Sequence, residues 1–316
     1  IGYWSELVDI YPQTKAARRG RYWSARAHEA LGNGSRSTTL YRLLAAAPST
    51  DYYGKLARER LGLEPQPEVP LAGDASAGWP RDPVLARAES LSEAGLDALA
   101  LTELDHLRQI TGARTEQALR SRILARQGKR RESIQNLWRA FPVLGGAYQD
   151  TVPPEALRMY YPLDYLDVVK RFAADNDLEV PLLLAMIRQE SAFDISARSW
   201  AGARGLMQVM PATGRELAAK MGLEYSTRRL NEPSFSVQLG SRYFRQVLDM
   251  FDGRLELALA GYNAGPYRIR RLVREAGDDL EIDSFLESLG FEESKTYVRR
   301  IVLFSDSYQR LYPDLG

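Results

Sequence analysis

From Leu183 onward apolar side chains recur at helical spacing, and the series ends on a carboxylate. Leu183, Met186 and Ile187 stand at i, i+3 and i+4, and Glu190 falls at i+7 of the same face. An amphipathic helix ordinarily carries another aliphatic residue there. Pro181 suits the first turn of such a helix, because its missing N–H costs nothing at that position. A carboxyl group on an apolar face is desolvated in its charged form, which raises its pKa. A raised pKa lets it hold a proton near neutral pH, as a general acid must. The competing reading is a helix-end glutamate that turns to solvent or pairs with Arg188 or Arg198.

The remaining inventory narrows what such an acid could do. Cysteine is absent, and the two histidines, His28 and His106, both precede residue 151. They read as packed or surface helix residues. Residues 151–316 therefore lack Ser-His-Asp and Cys-His catalysis as well as His- or Cys-ligated metal sites, and no metal or cofactor is expected. Ser191 would have no histidine base and reads as a capping or orienting residue. No glycine-rich phosphate loop is present. Carboxylates, hydroxyls and amides are left, and glycoside cleavage is the main reaction class that runs on these alone. Asp194, about one helical turn after Glu190, is the nearest candidate for a second carboxylate, though a local cap or ion pair is the plainer role.

The elements that would position these groups are helical throughout. The 316 residues carry a net charge of +1, with ordinary apolar and charged fractions, which points to two or three globular domains and away from a dedicated nucleic-acid binder. Arg268, Arg270 and Arg271 read as a solvated helix face. No run approaches the ~18 apolar residues of a membrane helix. Ile1 falls inside what reads as an amphipathic helix, so a trimmed or processed chain is expected. Trp23, Ala27, Ala30 and Leu31 share a face that Gly32 ends; a helix near Thr39 to Ala47 and one around Tyr52 to Leu61 follow, the latter closed by Gly62. The helix–Gly pattern recurs at Gly95 and Gly128, which are 33 residues apart, close to the ~34 of tetratricopeptide-like repeats. The expected division is α-solenoid helices over 1–63, a Pro/Gly-rich connector over 64–83, a helical linker domain over 84–150 and a distinct α-helical domain over 151–316. In the last, helices through Val237, Phe244, Val247 and Phe251, and through Val298, Ile301, Phe304, Tyr308 and Leu311, read as core.

Around Glu190 the sequence carries four recognisable segments. Ser191-Ala192-Phe193-Asp194 follows the glutamate. Gly205-Leu206-Met207-Gln208-Val209-Met210-Pro211 comes next, then Ala260-Gly261-Tyr262-Asn263-Ala264-Gly265-Pro266, and last Glu293-Ser294-Lys295-Thr296-Tyr297-Val298. In this order they resemble the motifs of the soluble lytic transglycosylases of glycoside hydrolase family 23, which share a fold with goose-type lysozyme. Gly261 replaces the usual first Ala of the third motif. The resemblance covers roughly residues 155 to 312, and the upstream helices, including Tyr52-Tyr53-Gly54-Lys55-Leu56-Ala57, look like the α-solenoid of the larger soluble members.

The resemblance implies an all-α chain with a tetratricopeptide-like solenoid before a lysozyme-like catalytic domain. It implies a lyase that cuts the β-1,4 bond between N-acetylmuramic acid and N-acetylglucosamine in peptidoglycan and leaves 1,6-anhydro ends. Glu190 matches the acid that later turns base. Gln208 and Met210 match groove residues, and Ser199 matches a serine that orients the N-acetyl group. Tyr262 matches a tyrosine bonded near the acid or its substrate, with Asn263 beside it. Glu293 matches a sugar-binding carboxylate and Tyr297 a late tyrosine near the site. Trp200, inside the motif loop, could stack on a sugar, whereas Trp79 lies in the connector. Periplasm or cell envelope is the implied location. The solenoid's concave surface could guide a glycan strand or bind cell-wall synthesis or secretion-machinery proteins. Two alternatives stay open: a hydrolytic muramidase with a second carboxylate, and a non-catalytic peptidoglycan-binding module or adaptor.

Overall fold

Helical periodicity becomes helix along nearly the whole chain. The computed structural model describes residues 14–46, 51–69, 78–80, 82–107, 113–277 and 280–315. The expected helix at Ile1 and part of the 64–83 connector lie outside these described residues. The first half contains α1 (Lys15–Ala30), α2 (Gly34–Ala45), α3 (Tyr52–Arg60), α4 (Ala86–Glu93), α5 (Asp97–Leu107), α6 (Ala113–Arg126) and α7 (Arg130–Ala140). The second half contains α8 (Pro154–Tyr160), α9 (Leu166–Asp175), α10 (Val180–Glu190), α11 (Pro211–Lys220) and α12 (Pro233–Met250). It continues with α13 (Leu255–Ala264), α14 (Pro266–Ala276), α15 (Ile282–Ser288) and α16 (Glu292–Leu311). Among the described residues there is no strand, only isolated bridges of Arg204 to Arg198 and to Val209, and no helix is long and apolar enough to cross a membrane. The chain is all-α.

Local chemistry sets the boundaries. Prolines 154, 181, 211, 233 and 266 occupy the first turns of α8, α10, α11, α12 and α14, where the ring is pre-shaped for the helix and no donor is lost. The repeat glycines close helices in the opposite sense. Gly128 adopts φ 72°, its N–H reaches Ala125 O at 3.1 Å, and Lys129 N–H reaches Leu124 O at 2.9 Å. These paired bonds satisfy carbonyls that the helix end would otherwise orphan. A Cβ on Gly128 would meet nothing within 4 Å, so only backbone strain opposes a side chain. Gly128→Ala is expected to cost about 1 kcal/mol, read as a lower urea midpoint at unchanged slope; no shift would contradict this reading of the turn.

Two apolar clusters hold the helices. A small one joins Leu85, Ala88, Ala100, Leu104, Leu119 and Ile123 of α4 to α6 and the turn before them. The large one runs from Tyr22 to Leu311. Its spine is α10 against α16. Leu183, Leu184, Met186 and Ile187 on one side, with Val298, Ile301 and Tyr308 on the other, are fully shielded from water. Burying each such side chain contributes ~1.5–3 kcal/mol. Polar contacts then tie the first helices to the end of the chain. Tyr22 Oη donates to Asp283 at 2.7 Å, and Arg26 meets the same carboxylate at 2.8 Å. α15 is thus braced from the N-terminal side.

Candidate active site

Glu190 is the last residue of α10, and its face of the helix is apolar up to that point. The chain then reverses sharply. Ala192 and Phe193 both take left-handed backbone angles, φ 51° and 64°, which non-glycine residues adopt at a cost. The turn is held by Ser191 N–H on Ile187 O at 3.0 Å, Ala192 N–H on Arg188 O at 3.1 Å, and a buried Phe193 ring. Ser191 Oγ donates back to Ile187 O at 3.1 Å, which suits the capping role. Neither arginine considered as a partner pairs with Glu190. Arg188 turns away, donates to Tyr160 O at 2.7 Å and stacks on the Tyr160 and Phe304 rings.

The partner is Tyr297, whose hydroxyl donates to Glu190 Oε1 at 2.6 Å from 107 residues away. Burial pushes the Glu190 carboxyl up to about 7, the Tyr297 hydrogen bond pulls the other way, and the charge of Glu293 adds to the rise. Burial, and after it the neighbouring Glu190 charge, raise the Tyr297 and Tyr262 phenols well above their ordinary value. Both therefore remain donors at any working pH. Tyr297→Phe deletes the one contact that lowers the Glu190 pKa, so the alkaline limb of a kcat/KM profile is expected to move to higher pH. An unmoved limb would separate Tyr297 from the titration.

All eight residues singled out in the sequence line one cleft of about 640 Å³: Glu190, Ser199, Gln208, Met210, Tyr262, Asn263, Glu293 and Tyr297. Several also have contacts within the protein. Tyr262 does not bond the acid; its hydroxyl donates to Met207 O at 2.8 Å and so pins the loop opposite. Gln208, at φ 47°, spends its amide hydrogens on Ala197 O at 3.1 Å and Gly205 O at 2.9 Å, which leaves its carbonyl oxygen uncommitted. Ser199 Oγ accepts from Ala203 N–H at 3.0 Å. Asn263 Oδ1 accepts from Ser294 at 2.5 Å, an arrangement that leaves the Asn263 amide as a donor. Met210 is 42% exposed at the rim. Asp194 is occupied locally: Oδ1 accepts from Ser196 N–H at 2.8 Å and Ser196 Oγ at 2.6 Å, and Arg131 lies 3.8 Å from Oδ2.

Several cleft residues had no signal in the sequence. Arg131 enters from α7, far upstream in the chain. Arg268, read as part of a solvated face, lies 3.7 Å over the Phe291 ring, and both line the cleft. Trp79 is buried beneath Arg122 and is closed to any ligand. Gly261 explains itself by contact: a Cβ there would come within 2.8 Å of Phe251 Cε2, so the phenyl ring fills the space a methyl would take. Among the described residues no group of three His, Cys, Asp or Glu side chains is placed to hold a metal ion.

Comparison with known proteins agrees with this geometry. Residues 167–285 match the family model described as Transglycosylase SLT domain. The chain is 27% identical over 312 residues to the soluble lytic murein transglycosylase of Escherichia coli K12, covering 97% of this chain and 46% of that protein. It superposes on the structure of an inactive Glu-to-Gln variant of lytic transglycosylase Slt from Pseudomonas aeruginosa with a TM-score of 0.74 and 30% identity, covering 100% of this chain and 51% of that one. The 70 kDa soluble lytic transglycosylase of Escherichia coli gives a TM-score of 0.69 at 26% identity, over 92% of this chain and 46% of that one. The chain thus spans about half the length of the relatives it matches. Its residues 167–285 resemble a transglycosylase SLT domain, carried in an all-α chain similar in fold to the corresponding half of the soluble lytic transglycosylases.

Proposed function

We propose that this chain cleaves the β-1,4 bond between N-acetylmuramic acid and N-acetylglucosamine in peptidoglycan without consuming water. The proton on Glu190 passes to the glycosidic oxygen as the bond from C1 to that oxygen breaks. The substrate's own 2-acetamido oxygen supports C1 from below. Glu190, now a carboxylate, takes the proton of the muramic 6-hydroxyl, whose oxygen bonds to C1 and closes the 1,6-anhydro ring. One carboxyl group serves both steps, so no second enzyme carboxylate is needed, as in substrate-assisted glycosidases.

The observation that carries this reading is the state of Glu190: half-buried on an apolar helix face, held by one phenol, with a pKa of about 7. A group so poised is a competent acid before the first step and a competent base after it. The engagement of Asp194 with Ser196 and Arg131 favours a single-carboxylate mechanism over a hydrolytic one. That a Glu-to-Gln variant of the Pseudomonas relative is inactive supports one essential carboxylate. Within this reading Glu293, Gln208, Asn263, Ser199 and Met210 hold the saccharide. Residues 151–316 act as the catalytic unit, the helices before them serve as its scaffold, and the enzyme works in the periplasm or cell envelope. Mass spectrometry of muropeptides released from purified sacculi tests it. Products lighter by one water, with anhydro ends, are expected. Reducing ends would make the protein a muramidase, and sacculus binding without products would make it a binding module.

A further inference from the structure

Trp200 is displayed to solvent with no packing against the protein; its relative exposure is 101%. A single exposed apolar side chain needs no explanation by itself, but two further observations set this one apart. It lines the same cleft as Glu190, next to Ala201 and with half-exposed Met210 on the same rim. The backbone beneath it is also braced. Ser199 N–H bonds Ala203 O at 3.0 Å, Gly202 N–H bonds Ser199 O at 3.0 Å, and Ser199 Oγ takes Ala203 N–H at 3.0 Å. Arg198 and Arg204 bridge the base of the turn. An indole held out from a fixed turn loses little conformational freedom when it is covered, and it offers a large rigid surface for that cover.

We propose that Trp200 is an aromatic platform for a saccharide outside the bond being cut. This rests on the glycan-cleaving reading above and adds a contact to it. A β-1,4-linked N-acetylhexosamine chain presents flat C–H faces that lie on an aromatic ring, while its hydroxyls remain at the ring edge in water. Glu190 is half-buried and bonded to the buried Tyr297, whereas the indole stands fully in solvent, a placement that suits a sugar further along the strand than the one attacked. Contacts remote from the reacting centre add affinity for the strand and can be drawn on for catalysis.

The test is calorimetric titration of peptide-free glycan strands, a disaccharide unit and a chain of several units, into the Glu190→Gln protein with and without Trp200→Ala. Far-UV circular dichroism checks folding, and Trp200→Phe serves as the conservative variant. The long chain is expected to bind about tenfold or more weakly to Trp200→Ala, the scale of a lost aromatic stack. The disaccharide should be little affected, and Trp200→Phe should recover most of the loss. Equal binding of the long chain with and without the indole overturns the platform and leaves the proposed reaction standing. No binding of any strand to the Glu190→Gln parent removes both.

Discussion

Glu190→Gln is expected to leave the fold intact and to lower turnover by about 10³-fold or more. General acid–base assistance is worth ~10²–10⁴ per role, and the proposed mechanism asks this carboxyl group for two roles in succession. Glutamine retains an oxygen for the Tyr297 hydroxyl but has no proton to give. A residual rate above a tenth of the parent's would sink the assignment.

The same residue predicts two pH dependences. Catalysis starts from protonated Glu190, so kcat/KM should be level below about 7 and fall as pH rises through the folded pKa of about 7. Stability follows the same titration. The group's ordinary value is 4.5 and its folded value about 7, so the folded state binds a proton that the unfolded state has released between those limits. Stability attached to Glu190 is therefore fully present below about 4.5 and is lost as pH rises through about 7. Glutamine has no charged form to penalise. Melting temperatures of the parent and Glu190→Gln should agree near pH 4.5, and the variant should melt higher at pH 8. Equal melting at both pH values would mean that the carboxyl is not desolvated.

Gly205→Ala should be the most damaging single methyl in the molecule. Gly205 has φ 76°, and a Cβ there would stand 1.8 Å from Leu230 O and 2.7 Å from Ser236 Oγ. A backbone carbonyl cannot swing aside as a long side chain can. The loop over residues 197–209 and the turn at 227–231 must separate, and Met207 N–H loses its 3.3 Å bond to Ser236. Strain plus overpacking should cost roughly 3 kcal/mol or more, against about 1 kcal/mol for the strain-only change at Gly128. Activity should fall with it, because the same loop carries Ser199 and Gln208. Urea denaturation of the two variants side by side decides the matter: equal costs would mean that the close approach to Leu230 does not exist.

Much of this was legible in residue order because it depends on near neighbours. The turn prolines mark where helices begin, and the apolar period places Glu190 on the buried side of α10. The stripe from Val298 to Leu311 declares a core helix, with every member buried. Where periodicity is interrupted, boundaries drift. The helix expected near Thr39 to Ala47 runs from Gly34 to Ala45, since polar Ser and Thr at its start obscure the first turn. The Gly265–Pro266 pair ends α13 and α14 restarts at once, because a proline that stops one helix is an ideal first residue for the next.

What residue order by itself determined is the all-α character and the position of the carboxyl group on an apolar helix face; the side chains expected around it were implied by the resemblance of the four segments. Which hydroxyl binds that carboxyl was decided only by the packing of α16 on α10. That contact makes Tyr297 the partner and leaves Tyr262 to pin Met207. Tertiary packing alone likewise brought Arg131 in from α7, laid Arg268 over Phe291 and left Trp200 bare. The reason is one of range. Helix periodicity and end chemistry act over a few residues and are written in local order. Desolvation and hydrogen bonding act through space, between groups that only the folded chain brings within a few ångströms.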